Sequence, residues 1–224
     1  MSESLAAPLD ARRPAPELRC AVTRIGVLAL QGDFRKHIEM LSLLDGVCAF
    51  PVRSPDEIDT CDGLVLPGGE STTLGKLMAR YGVDDAIRSG VGRGMAVFGT
   101  CAGMILLATD IEDSDQPRLG LMDITVRRNA FGRQVDSFEV DLAVPEAGDA
   151  PVRAVFIRAP YVTEVREPAR ALARLQTGEI VMVRQGNCLA SAFHPELTDD
   201  TRIHRCFARM AAGASVCSES GAPT

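Results

Sequence analysis

A cysteine and a histidine that lie far apart in the chain have the surroundings that covalent catalysis requires. Cys101 is the centre of Gly-Thr-Cys-Ala-Gly at 99–103, and His194 is followed by Pro195 and Glu196. The two glycines allow a tight strand-to-helix turn that strains its central residue. A helix N-terminus favours a thiolate, and His194 and Glu196 would supply a base and a group that orients it. This pattern predicts a cysteine hydrolase that works through an acyl-enzyme.

Each part of this pattern also has an ordinary interpretation. Buried cysteines are commonly inert core residues, and Glu196 could simply cap a following helix. The chain has only three histidines. His37 lies in a polar helical stretch and His204 in a terminal helix, so we expect both to be solvated surface residues. His194 follows the apolar stretch 189–193, which places it at a strand end, where α/β active sites lie.

Composition excludes several classes of function. The 224 residues are 46% hydrophobic and 24% charged, as in an ordinary single α/β domain. The net charge of −6 offers no basic face for nucleic acid, and no apolar run approaches the ~18 residues that span a bilayer. The seven cysteines are odd in number and include no C-x-x-C pair, which argues against a disulfide framework and a metal site. We therefore expect a cytoplasmic protein.

Strand and helix patterns alternate along the first half of the chain. Apolar strands are predicted at 25–30, 47–52, 63–66 and 95–98, and helices at 34–44, 71–80, 84–88 and 104–108. Strands that are apolar throughout indicate a mainly parallel sheet covered on both faces by helices.

The second half has a different pattern. Alternating stretches at 124–127, 137–142 and 152–157 indicate antiparallel or edge strands, and 185–187 predicts a hairpin turn. A closing helix is expected at 199–212, started by Thr198 as N-cap. These elements would form one domain at 24–212, between a flexible N-terminal extension at 1–23 and a flexible tail at 213–224.

A glycine-rich turn follows the third predicted strand, at 67–72 (Pro-Gly-Gly-Glu-Ser-Thr). It does not fit a phosphate loop, because Glu70 stands where that pattern begins with glycine and Leu77 replaces the hydroxyl residue. The glycines at 90–94 precede a strand and so do not fit a dinucleotide site. What remains is a nest of N–H groups for an oxyanion, with Gly69 and Ala102 as donors. The alternative is a plain turn with Ser71 as helix N-cap.

Two arginines lie at predicted strand ends. Arg128 lies in the polar loop at 127–134, and Arg158 ends another strand. Guanidinium groups in such positions suit a carboxylate or an amino-acid backbone. The simpler interpretation is that both arginines are solvated charged residues on loops.

Six segments in this order resemble a known family. They are Leu-Gln-Gly at 30–32, Leu-Pro-Gly-Gly-Glu-Ser-Thr-Thr at 66–73, Phe-Gly-Thr-Cys-Ala-Gly at 98–103, Arg-Asn at 128–129 with Phe-Gly-Arg-Gln at 131–134, Phe-Ile-Arg-Ala-Pro at 156–160 and Phe-His-Pro-Glu-Leu at 193–197. Cysteine, histidine and glutamate alone indicate the class I glutamine amidotransferases. The other segments narrow the resemblance to the glutaminase subunits of the ribose 5-phosphate-dependent pyridoxal 5′-phosphate synthase.

This resemblance covers about residues 24–212 and implies a flavodoxin-like three-layer α/β/α domain without a cofactor or metal. It implies that Cys101 is the nucleophile, His194 the general base and acid, and Glu196 the residue that orients His194. The glutamine site would be lined by Gly69, Glu70 and Ser71 and closed by Arg128, Ile157 and Arg158. The resemblance also implies a synthase subunit as partner, with Gln31 beside the catalytic pocket and near the partner surface.

Two features depart from the family pattern. The stretch before Arg24 is longer than the family needs, and Lys36 stands where an acidic residue is expected before His37. Neither touches the chemistry, although Lys36 could alter a partner contact. The rival interpretations are another cysteine hydrolase on a similar turn, such as a peptidase or a deglycase-type protein, another amidotransferase on the same fold, and a non-enzymatic scaffold.

Overall fold

A computed structural model describes residues 22–128 and 137–213, in which twelve strands and six α-helices follow one another. The strands are β1 (Thr23–Leu28), β2 (Val47–Val52), β3 (Gly63–Leu66), β4 (Ala96–Thr100), β5 (Ala108–Ile111), β6 (Met122–Arg127), β7 (Ser137–Leu142), β8 (Val152–Ile157), β9 (Tyr161–Val165), β10 (Arg170–Arg174), β11 (Ile180–Gln185) and β12 (Cys188–Ser191). The helices are α1 (Phe34–Ser42), α2 (Pro55–Ile58), α3 (Ser71–Tyr81), α4 (Val83–Gly92), α5 (Ala102–Leu107) and α6 (Arg202–Ala211).

A ten-stranded sheet runs through the domain in the order β2-β1-β3-β4-β12-β11-β9-β6-β5, with β10 paired to β11 beside this path. The five strands from β2 to β12 are parallel, as are β5 and β6. Antiparallel pairs of β9, β11 and β12 join these two parts, and β7 and β8 form a separate antiparallel pair. The sheet is flanked by helices, so the predicted α/β fold with a mainly parallel sheet and an antiparallel edge region is confirmed.

Burial along the strands explains the two sequence patterns. Every residue of β3 and β4 is buried, because helices cover this part of the sheet on both sides. In β6 and β8, by contrast, buried residues alternate with more exposed ones, as in strands with one covered face. The parallel centre of the sheet therefore carries the uninterrupted apolar stretches, and its carboxyl ends meet at one edge.

Several predicted element boundaries differ from the observed ones. The closing helix starts at Arg202 with Thr201 before it, because Thr198 instead ends a short 3-10 helix, Pro195–Leu197. The helix after Cys101 begins at Ala102 and gives way to a strand at Ala108. Strands β5, β9 and β10 and helix α2 were not predicted, although Ser54 and Glu57 form a capping box at the start of α2.

The predicted chain termini fall mostly outside the described residues. Of the predicted extension at 1–23, residues 1–21 lie there, and Thr23 is already part of β1. Of the predicted tail, residues 214–224 lie there. Among the residues that the structure describes, no helix is long and apolar enough to cross a membrane.

Helix α5 packs directly onto the main chain of the sheet. A Cβ added at Gly103 would lie 2.2 Å from the Leu66 carbonyl oxygen at the end of β3. A Cβ added at Gly99 would lie 2.5 Å from the carbonyl carbon of Gly103. Both positions need glycine for space, and this close approach sets where the first turn of α5 lies.

We predict that Gly103→Ala lowers the free energy of unfolding by about 1–3 kcal/mol or more, because the backbone of β3 must move to admit the methyl group. Gly92→Ala is the matched control, since an added Cβ there meets nothing within 4 Å. It should be neutral or stabilise by up to about 1 kcal/mol. Urea denaturation of the two variants measures the difference, and equal stabilities would contradict the close packing.

Candidate active site

Cys101 lies in a strained turn between β4 and α5. Its backbone has φ 49° and ψ −102°, in a region that residues with a side chain rarely adopt. The Cys101 N–H donates to the Ser191 carbonyl of β12 at 2.8 Å, and the sulfur lies 4.0 Å from the Ile157 carbonyl oxygen. The side chain is therefore held at the N-terminus of α5 and at the carboxyl end of the parallel strands, as the glycine spacing predicted.

His194 lies three residues after the end of β12, immediately before the 3-10 helix Pro195–Leu197. Its N–H donates to the Val155 carbonyl of β8 at 2.8 Å. Its ring Nδ1 lies 2.7 Å from Glu196 Oε1, and the Glu196 side chain is buried. The turn of the 3-10 helix brings the carboxylate back to the ring, so one short segment positions both groups.

The electrostatics of the site favour a protonated His194. Burial alone would lower the pKa of His194, but its interactions with Cys101 and Glu196 outweigh this effect and raise the pKa to about 10. Burial alone would raise the pKa of Glu196, but the neighbouring His37 and His194 hold it well below its usual range. The site therefore holds an imidazolium between a sulfur and a carboxylate.

The glycine loop at 67–72 lies against Cys101 and His194. A Cβ added at Gly68 would lie 2.5 Å from Cε1 of His194 and 3.5 Å from Cβ of Cys101. Gly69 has φ +155° and faces the Gln31 side chain, whose Oε1 accepts the Glu70 N–H at 3.0 Å. Gln31 and the loop thus form one unit beside Cys101 and His194.

A second polar cluster begins at Glu70, which is the N-cap of α3 in place of Ser71. The Glu70 carboxylate accepts the N–H groups of Thr72 and Thr73 at 3.1 and 2.6 Å. Slight burial would raise the pKa of Glu70, but these hydrogen bonds outweigh it and lower the pKa to about 2. Arg128 Nη2 lies 3.4 Å from Glu70 Oε1, so the predicted binding residues Glu70 and Arg128 are brought together.

Sequence reasoning missed Gln116, which organises this cluster. Its Oε1 accepts hydrogen bonds from Arg128 Nη1 at 2.6 Å and from Ser71 Oγ at 3.2 Å. Gln116 is buried, and its Nε2 has no partner within the described part of the chain. Nothing in the sequence around Gln116 signals this role, because the residue lies in an irregular stretch.

The remaining predicted residues lie at the end of β8. Ile157 presents its carbonyl to the Cys101 sulfur, and its own side chain is exposed. Arg158 follows it with φ 43° and is also exposed. Asn129 and the segment 131–134 of the predicted polar loop lie outside the described residues.

The prediction that His37 and His204 are surface residues is wrong. Both are 0% exposed, and they contact each other behind the active site. His37 belongs to the buried stripe of α1, at helical spacing between Phe34 and Leu41. The polar residues next to His37 obscure this periodicity in the sequence. His204 faces the core on α6 in the same way, next to Ile203.

A metal centre is not evident in this geometry. No group of three or more histidine, cysteine, aspartate or glutamate side chains is placed to hold a metal ion within residues 22–128 and 137–213.

Comparison with known proteins places the chain in a family. The model of the SNO glutamine amidotransferase family matches residues 27–212. The chain belongs to this family. It is therefore a glutamine amidotransferase, and a glutaminase reaction is the chemistry of its class. The matched segment contains the strained cysteine turn, the glycine loop and the His-Pro-Glu segment.

Two curated relatives and one solved structure are similar over nearly their whole length. Pyridoxal 5′-phosphate synthase subunit PdxT of Carboxydothermus hydrogenoformans is 58% identical over 184 residues, 82% of this chain and 95% of that protein. The PdxT subunit of Moorella thermoacetica is 58% identical over 187 residues, 84% of this chain and 98% of that protein. A crystal structure of a glutamine amidotransferase is 52% identical, with a TM-score of 0.79 over 84% of this chain and 98% of that one.

We predict that the His194 ring titrates near 10 in the folded protein and that Glu196→Gln lowers this pKa, because the carboxylate stabilises the cation. A raised folded pKa contributes stability that is complete below the unfolded value near 6.5 and is lost as pH rises towards 10. NMR titration of labelled histidine measures the pKa directly.

The control for this titration is Glu39→Gln. Glu39 is an exposed carboxylate paired with Lys36, so its loss should leave the His194 pKa unchanged. A His194 pKa near 6.5 in the parent protein, or one that does not respond to Glu196→Gln, would contradict the described electrostatics.

Proposed function

We propose that this chain is the glutaminase subunit of a pyridoxal 5′-phosphate synthase, with Cys101, His194 and Glu196 as its catalytic residues. The observation that carries the proposal is the strained turn of Cys101, beside a His194 ring that is bonded to Glu196. The 58% identity to PdxT subunits over 95% or more of their length supports the specific assignment.

The first step forms a thioester. The Cys101 thiolate attacks the side-chain amide carbon of L-glutamine, and the carbonyl oxygen becomes an oxyanion. The N–H groups of Gly69 and Ala102 stabilise this charge. The His194 imidazolium donates its proton to the amide nitrogen, the carbon–nitrogen bond breaks, and ammonia leaves. A neutral His194 and a glutamyl thioester on Cys101 remain.

The second step hydrolyses the thioester. His194, now neutral, takes a proton from a water molecule that attacks the thioester carbon. The carbon–sulfur bond then breaks, which releases L-glutamate and restores the thiolate and imidazolium. Glu196 keeps the ring oriented in both steps and stabilises its cation, without itself transferring a proton.

The substrate would be held by the cluster around Glu70. The Arg128 guanidinium suits the α-carboxylate of glutamine, and Gly69, Glu70 and Ser71 line the same side of the site. Ile157 and Arg158 close the site from β8, whose end lies at the Cys101 sulfur. An amino-acid substrate explains why charged groups of both signs converge here, which neither a peptidase nor a scaffold requires.

The released ammonia would pass to a synthase subunit in a hetero-oligomeric complex in the cytoplasm. Gln31 would lie near that partner, and it already holds the glycine loop through the Glu70 N–H. Glycine readily adopts both peptide orientations, so the Gly68–Gly69 peptide can turn. In the isolated subunit one oxyanion N–H would face away, and docking of the synthase would turn it inward.

We predict that Cys101→Ala abolishes glutamine hydrolysis, to below about a thousandth of the parent rate, because the covalent nucleophile is lost. A diazo-ketone analogue of glutamine should label Cys101 alone, as read by peptide mass spectrometry. Cys48→Ala is the control, since Cys48 is exposed on β2 far along the sheet from β12, and it should retain activity and labelling. Labelling of Cys61 or Cys188 in place of Cys101 would refute the site.

We predict that the isolated protein hydrolyses glutamine slowly and that adding the synthase raises kcat several-fold or more. Gly69→Val should block this rise while the complex still forms, because an added Cβ lies 2.4 Å from Gln31 Oε1. Steady-state ammonia release and size-exclusion chromatography measure the two effects. An isolated protein that is already as fast as the complex would show that the loop is preformed.

A further inference from the structure

Three buried polar residues lie behind Glu196, on the side away from His194. His37 of α1 places its Nε2 3.4 Å from Glu196 Oε2 and 3.2 Å from Thr100 Oγ1. His37 Nδ1 lies 3.0 Å from Nε2 of His204 on α6. All three residues are 0% exposed. Two helices and the end of β4 thus bring a polar cluster to the one carboxylate of the catalytic segment.

The cluster has a definite direction of hydrogen bonding. A carboxylate oxygen faces His37 Nε2, so this nitrogen must carry a proton, because two lone pairs would repel. His204 Nδ1 is buried and has no partner in the described part of the chain. A buried N–H without an acceptor is more costly than an unpaired ring lone pair, so the proton of His204 belongs on Nε2.

The N–H groups of the cluster therefore all point in the same direction, from His204 through His37 towards Glu196. In this arrangement His204 Nε2–H donates to His37 Nδ1, and His37 Nε2–H donates to Thr100 Oγ1 and faces Glu196 Oε2 at 3.4 Å. Burial lowers the pKa of His204 to about 3, so that ring is neutral, as this arrangement requires. Only a lone pair of His204 then remains unpartnered.

We propose that His37 is a positioning residue for the glutaminase reaction, which fixes the second carboxylate oxygen of Glu196 and is itself held in one tautomer by His204. This inference rests on the proposed roles of His194 and Glu196. The first oxygen, Oε1, is bonded to His194. The second oxygen, Oε2, makes no hydrogen bond within the described residues, and His37 Nε2 faces it at 3.4 Å. Without this facing N–H, the carboxylate could rotate away from the imidazole.

His37 acts through Glu196 and is not a catalytic residue. Its polar contacts in the described structure are with Glu196, Thr100 and His204, none of which is the nucleophile. Its loss should therefore reduce kcat with little change in KM, because substrate binding lies on the Glu70 side of Cys101. Loss of a residue that orients a metal ligand costs about 10- to 100-fold in activity, and we expect a loss of similar size for a residue that orients Glu196.

Two substitutions of His37 separate positioning from packing. In His37→Gln the amide nitrogen occupies the place of Nε2 and donates to Glu196. In His37→Asn the amide reaches only the place of Nδ1, so the bond to His204 is kept and the donor to Glu196 is lost. Both variants are polar and smaller than histidine, so packing loss alone affects both.

The experiment compares both variants with the parent protein in complex with the synthase. Steady-state kinetics should show kcat reduced about 10- to 100-fold in His37→Asn and largely retained in His37→Gln, with KM similar in both. Proton NMR should show the low-field Nδ1–H resonance of His194 in the parent and in His37→Gln, and its loss or upfield shift in His37→Asn. Equal kcat in the two variants, or an unchanged resonance in His37→Asn, would overturn the proposal.

Nitrogen-15 NMR of the parent protein tests the same inference and does not depend on whether a variant folds. His37 and His204 should both carry a proton on Nε2, and a His37 protonated on Nδ1 alone would overturn the proposal. These NMR results do not depend on turnover. A parent protein without glutaminase activity would therefore refute the proposed function, while the resonances would still report whether His37 positions Glu196.

Discussion

The turn at Cys101 depends on close main-chain approaches that no side chain would permit. The first turn of α5 touches the carbonyl of Leu66 through Gly103, and Gly99 lies against the same turn. These approaches hold the backbone of Cys101 at positive φ and direct its side chain towards the carboxyl ends of the strands. The conformational strain is small beside the burial of β3 and β4, which keep the turn in place. Packing against the sheet therefore fixes the position of the Cys101 sulfur, and the other residues of the site lie around it.

Charge is the second constraint, because Glu196 is a buried carboxylate. A buried ion is tolerated only when hydrogen-bonded and paired, and here His194 contacts one oxygen while His37 faces the other. The same pairing raises the pKa of His194 and keeps its ring protonated. The buried Glu196 therefore links the core to the charge state of the His194 ring beside Cys101. The exposed ion pairs of the domain are of a different kind and contribute little.

The sequence predicted the parallel sheet, the turn at Cys101 and the pairing of His194 with Glu196, because these depend on local patterns. A glycine-flanked turn and a two-residue spacing are readable without long-range information. The buried positions of His37 and His204 were not read, since their meaning depends on the contact of α1 with α6, 167 residues apart in the chain. The role of Gln116 likewise arises only from the tertiary approach of Arg128 and Ser71. The helical spacing of His37 with Phe34 and Leu41 does indicate a buried position, but the polar residues next to His37 indicate an exposed one.

In the proposed mechanism, glutamine is cleaved through a thioester on the strained Cys101. Rapid acid quenching of the complex during turnover, followed by peptide mass spectrometry, tests it most directly. We predict a glutamyl adduct on the peptide that contains Cys101, which forms with the first release of ammonia and disappears when glutamine is exhausted. Steady ammonia release with no adduct at any quench time, including under slowed deacylation, or an adduct on another cysteine, would contradict it.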